Sequence, residues 1–66
     1  MSYLLQALIA KLKGEVEVAK ANVMVYTRNS TGIGEHPEIV EAIETQIEKI
    51  ANAEEKIATI EKHFSR

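Results

Sequence analysis

The stretch Asn29-Ser30-Thr31-Gly32-Ile33-Gly34-Glu35-His36-Pro37 separates two long segments that share one hydrophobic pattern, so it is where the chain turns. Gly32 can take the left-handed conformation that ends a helix, and Gly34 frees the backbone to reverse. Pro37 suits the first position of a following helix, where its missing N–H loses nothing. Glu38 and Glu41 then fall near that helix's start, where negative charge suits the helix dipole, and Lys62 and Arg66 complement its other end.

Upstream of the turn, Leu5, Ile9, Leu12, Val16, Ala19, Val23 and Tyr26 follow one another at alternating spacings of four and three. Downstream, Ile39, Ile43, Gln46, Ile50, Ala53, Ile57, Ile60 and Phe64 repeat that alternation. Such spacing marks a helix lying along another helix. The pattern predicts an all-α fold of two helices, about 2–28 and 37–64, in a single domain spanning 1–66. Each would run roughly 40 Å at 1.5 Å per residue. Equal lengths around a short loop favour an antiparallel helical hairpin over one long rod.

Folding back near Gly32 matches the stripes layer by layer: Tyr26 with Ile39, Val23 with Ile43, Ala19 with Gln46 and Val16 with Ile50, then Leu12 with Ala53, Ile9 with Ile57 and Leu5 with Ile60. Large against small at Leu12 and Ala53 suits dense packing. Two residues stand out. Gly14 costs up to ~1 kcal/mol relative to Ala in a helix interior, so it is either a tolerated flaw or a point of close approach by a neighbour. Gln46, polar within an apolar seam, either fixes register and oligomer state or sits half-exposed beside Ala19.

Composition narrows the function classes. Apolar residues make up 45% and charged residues 27%, the balance of a folded soluble domain rather than a disordered chain. A chain of 66 residues buries only a modest core, and the absence of cysteine removes disulfide staples, thiol catalysis and Cys-type zinc sites. A net charge of -2 offers no footprint for nucleic acid. The apolar run from Tyr3 to Ala10 is too short to span a membrane and lacks the cationic start of a secretory signal. A cytoplasmic location is expected.

Apolar surface exceeds what one helix–helix seam can hide. Leu4, Leu8, Val18 and Val25 widen the stripe of the first helix, and Val40, Ile47, Ala51 and Ala58 widen that of the second. Together they suggest a patch larger than soluble monomers usually expose. Pairing hairpins into a four-helix bundle would cover it, a homodimer being the commonest closed solution. Leu4, Leu8, Val18, Val25, Val40 and Ile47 are the candidate self-association face. Charge points the same way. The first helix carries Lys11, Lys13, Lys20 and Arg28 against Glu15 and Glu17, whereas the second is glutamate-rich, favouring contact between unlike helices.

Gly32, Ile33, Gly34, Glu35, His36 and Pro37 form the candidate partner-contact turn. One His and one carboxylate fall short of a metal-ligand set, and a helix-starting role accounts for Glu35 and His36 without a ligand. His63 is expected to meet the last free helix carbonyls, and Tyr3 and Tyr26 to edge the core. Glu41, Glu48 and Glu55 repeat every seven residues on an outer face, which reads as solvated rather than metal-binding. No nucleophile–base pair or phosphate loop is present, so neither catalysis nor a cofactor is expected.

The turn segment through Ile39, followed by Ala42-Ile43-Glu44 and Ala53-Glu54-Glu55-Lys56, resembles small helical proteins of marine tailed bacteriophages, a group without an assigned activity. The resemblance covers most of the chain, and Gly-Ile-Gly-Glu-His-Pro is its most specific part. It implies expression in the cytoplasm of an infected bacterium, or a minor virion component, and it transfers no functional residue. The resulting expectation is a non-enzymatic, self-associating interaction protein, either an adaptor or a modulator of a host protein, with an unidentified protein partner. The alternative is a membrane-surface protein inserting Leu4, Leu5, Leu8, Ile9 and Leu12 beside Lys11 and Lys13.

Overall fold

The computed structural model describes residues 1–28 and 36–65, leaving aside the side chains of His36 and Pro37. It contains two α-helices, α1 (Tyr3–Arg28) and α2 (His36–Phe64), packed on each other as a hairpin. Their limits match the predicted helices to within a residue. The expected fold-back at Gly32 lies outside the described residues.

Local chemistry accounts for the ends. The amide of Leu5 donates to Ser2 Oγ at 3.1 Å, so Ser2 caps α1 by satisfying an amide that the first turn leaves unpaired. Gln6 Nε2 donates to the Met1 carbonyl at 3.1 Å and reinforces that entry. Arg28 in the last turn of α1, Glu38 in the first turn of α2, and Lys62 and His63 in its last turn all oppose the adjacent helix-dipole charge. Threonine is a poor helix former, yet Thr45 and Thr59 are accommodated. Their hydroxyls donate to the Glu41 and Glu55 carbonyls one turn back, at 3.1 and 2.9 Å.

The two stripes form the interface. Leu12, Val16, Ala53 and Ile60 make the buried cluster, with Met1, Leu5, Ile9, Ile50 and Ile57 packed around it. Ala19 and Gln46 are buried further along, and Val23, Tyr26, Ile39 and Ile43 are half-buried toward the turn end. Phe64 departs from the prediction, at 54% exposed. The reason is geometric: α1 begins only at Tyr3 and has no turn of helix left to cover the last residue of α2. Phe64 instead meets the ring of His63 edge-on, with centroids 6.2 Å apart. Tyr26 is half-buried as expected of a core-edge residue, whereas Tyr3 is 82% exposed.

Direction follows from the cross-helix neighbours. Asn22, late in α1, bonds Gln46 in the first half of α2, while Leu8, early in α1, shares a groove with Ile60, late in α2. The helices are therefore antiparallel. The backbone is 50 Å long and only 14 × 12 Å across, a rod with two broad sides and no deep interior.

Candidate functional site

Antiparallel packing sorts the residues that flank the seam by a simple rule. On both helices, the residue just before a seam position falls on one broad side, and the residue just after falls on the other. Lys11, Glu15 and Val18 precede Leu12, Val16 and Ala19, and they line an open groove of about 690 Å³ with Asn22, Gln46, Lys49, Asn52 and Lys56. Toward the free ends this side continues past Leu8, Thr59 and Glu55. Lys13 and Glu17 follow Leu12 and Val16, and they line the opposite groove, about 590 Å³, with Glu54, Ala58 and Glu61.

The grooves carry opposite charge. Three lysines (11, 49 and 56) face one glutamate (15) in the first. One lysine (13) faces three glutamates (17, 54 and 61) in the second. Residues seven positions along each stripe extend these sides. Lys20 and Glu44 join the glutamate side and cancel each other, whereas Glu38 at the turn end and Glu55 toward the free ends lie on the lysine side outside its main groove, so the contrast belongs to the two grooves. The charge contrast between helices, evident in the sequence, becomes a contrast between grooves.

Within the lysine side, Lys11 Nζ and Glu15 Oε2 stand 2.6 Å apart across one helical turn. The hydrogen bond and charge of Lys11, with a smaller contribution from Lys56 on α2, hold the Glu15 carboxyl below the usual carboxylate range. On the glutamate side, Lys20 Nζ lies 3.2 Å from Glu17 Oε2. Both pairs are exposed, so they order local charge more than they stabilise the fold.

The structure places the six candidate association residues on two sides instead of one continuous patch. Leu4, Val18 and Val25 repeat at seven-residue intervals with Lys11 and share the lysine side with Leu8. Val40 and Ile47 stand fourteen and seven positions before Glu54 and belong to the glutamate side. Tyr3 and Met24 join them there, each a multiple of seven from Glu17. All eight are exposed, from 40% at Leu8 to 82% at Tyr3. On α1 the surplus apolar residues come mainly before the seam positions, and on α2 after them. Antiparallel pairing sends those flanks to opposite sides.

Gln46 is 7% exposed, and its Oε1 accepts a hydrogen bond from Asn22 Nδ2 at 3.1 Å. That resolves the two readings of this residue in favour of a buried polar group. Asn22 was missed by the stripe analysis because it lies beside the seam, one turn along from Ala19. A polar residue at that offset is the available signal. Nothing lies within 4 Å of where a Cβ on Gly14 would stand, so no neighbour within the hairpin approaches it closely.

Gly32, Ile33, Gly34 and Glu35 of the candidate turn lie outside the described residues, as do the side chains of His36 and Pro37, whose backbone opens α2. Of the proposed membrane-inserting residues, Leu12 is buried and Leu5 and Ile9 are half-buried in the seam, leaving Leu4 and Leu8 outside. Among the described residues no helix is long and apolar enough to cross a membrane, and no three His, Asp or Glu side chains converge as a metal site. No protein-family model, curated protein or solved structure matches the chain.

Proposed function

We propose that the chain is a non-enzymatic, self-associating helical protein whose hairpins pair into four-helix units, and that it acts by interaction rather than catalysis. The supporting observation is the apolar surface left once the hairpin has formed. Four large apolar side chains remain on each broad side, at least 40% exposed. Covering them against another copy removes them from water, the main favourable contribution to association. On this reading, and as the resemblance of its turn to small phage proteins implies, the chain acts in an infected bacterium as an adaptor or as a modulator of a host protein.

Sedimentation equilibrium from low micromolar to near-millimolar protein tests the reading. A weight-average mass that climbs above the 7.4 kDa of one chain supports it. A single 7.4 kDa species throughout, together with no protein captured from host lysate, would sink it.

A further inference from the structure

We infer that the contact between copies is heterologous: the lysine side of one hairpin docks on the glutamate side of the next, so that hairpins stack face to back. This rests on the self-association reading and adds to it which surfaces meet. A two-fold dimer uses the same patch on both copies. Formed through the first groove with α2 over α2, it would set Lys49 and Lys56 against a second set of the same lysines. Formed through the second, it would do so with Glu54 and Glu61. Like charges brought together in an interface oppose association, whereas complementary ones favour it and fix its register. A two-fold contact would also leave four large apolar residues of each copy in water.

Face-to-back docking resolves both problems. It sets a groove of three lysines and one glutamate on one of three glutamates and one lysine. It also turns Leu8, Val18 and Val25 toward a side bearing Tyr3, Met24, Val40 and Ile47. Spacing agrees, because Lys49 and Lys56 are seven residues apart and so are Glu54 and Glu61. With the α2 helices of adjacent copies parallel, a stagger of five residues, about 7.5 Å, brings both lysines over both glutamates at once. The same stagger sets Leu8 over Tyr3. Each side measures roughly 600–700 Å² from the 50 Å length and 12–14 Å width of the backbone before side chains are counted, close to the ~800 Å² per partner of a standard stable interface. The docked pair still presents one free lysine side and one free glutamate side, so the assembly grows without closing at two.

Two charge reversals test this. K49E/K56E spoils the lysine side only, and E54K/E61K spoils the glutamate side only; all four positions are exposed, and circular dichroism checks that each variant stays helical. The wild-type chain is expected to grow beyond a dimer with concentration and to shrink in high salt. Each variant alone should need about tenfold or more protein to associate. Mixed one to one, the variants should associate again, because the intact lysine side of E54K/E61K meets the intact glutamate side of K49E/K56E and the two reversed sides complement each other. Reversing all four residues together should restore growth.

Normal association by E54K/E61K but not K49E/K56E, or the converse, would establish a two-fold contact through one side; the inference would fall and self-association would stand. Association of both variants at wild-type concentrations, or no complex in the mixture, would also overturn it. A wild-type chain that stays monomeric at every concentration removes the underlying self-association reading itself.

Discussion

Asn22 Nδ2 donates a hydrogen bond to Gln46 Oε1 at 3.1 Å, tying α1 to α2 through side chains in an otherwise apolar seam. The bond turns the one polar residue of the stripe into a positional lock, because any slip of one helix along the other would bury an unpaired amide. No fully buried side-chain nitrogen or oxygen among the described residues lacks a partner. Losing one partner of such a pair costs about 1–3 kcal/mol, whereas replacing both with apolar groups is nearly neutral. Asn22→Ala should therefore lower hairpin stability by about 1 kcal/mol. The double variant Asn22→Ala/Gln46→Leu should recover most of it while losing the lock on register. Urea midpoints for the singles and the double decide the matter, and additive losses would show that the bond does not couple the helices.

Leu12, 2% exposed, and Leu4, 80% exposed, are chemically identical residues in opposite situations. Leu12→Ala opens a cavity in the central cluster and should cost ~2–5 kcal/mol. Domains of this size hold only ~3–10 kcal/mol in total, so much of the variant should be unfolded at room temperature. Leu4→Ala should leave the stability of the hairpin within ~0.5 kcal/mol of the parent and weaken association instead. Thermal melts paired with sedimentation separate the two effects. A Leu4→Ala melt as damaged as that of Leu12→Ala would contradict the burial pattern.

Gly14 lies inside α1 with open space where its Cβ would stand. Alanine there meets no obstacle in the hairpin and restricts the unfolded chain, so Gly14→Ala should raise stability by about 0.5–1 kcal/mol. A rise in urea midpoint without a change in slope is the expected result. Lower helicity or a lower midpoint would mean that the helix needs glycine at this point.

The Glu15 carboxyl is held below its ordinary value of 4.5, first by the Lys11 hydrogen bond and charge and then by the charge of Lys56. The depressed folded-state value fixes the sign of the pH effect. The ion pair contributes fully above the unfolded value and fades as the pH falls through the folded one. Compared with Glu15→Gln, the native chain should melt slightly higher at neutral pH, with the gap closing below about pH 4.5. High salt should narrow the gap as well, since the pair is exposed. A gap that persists unchanged at pH 3 would show that Glu15 acts through packing instead of charge.

The hairpin was legible because its cause is local and repetitive. A four-three stripe demands a facing helix, and Pro37, Glu38 and Lys62 mark ends that follow from unpaired backbone groups and the helix dipole. The exposure of Phe64 was less legible, since it depends on where α1 starts relative to the end of α2. Asn22 escaped for a related reason: its partner stands 24 residues away in the chain, and no periodicity within α1 distinguishes it from other flanking polar residues.

By itself, then, the sequence determined that two helices form, how long they are and which stripe each buries, because helix period and hydrophobic burial act within a few turns of the chain. It also determined that apolar residues would be left over. Which of them share a surface was decided only by tertiary structure. The antiparallel approach sends residues before the seam to one side and residues after it to the other. That rule parts Val18 from Ile47 and separates Lys49 and Lys56 from Glu54 and Glu61, which lie interleaved along one helix.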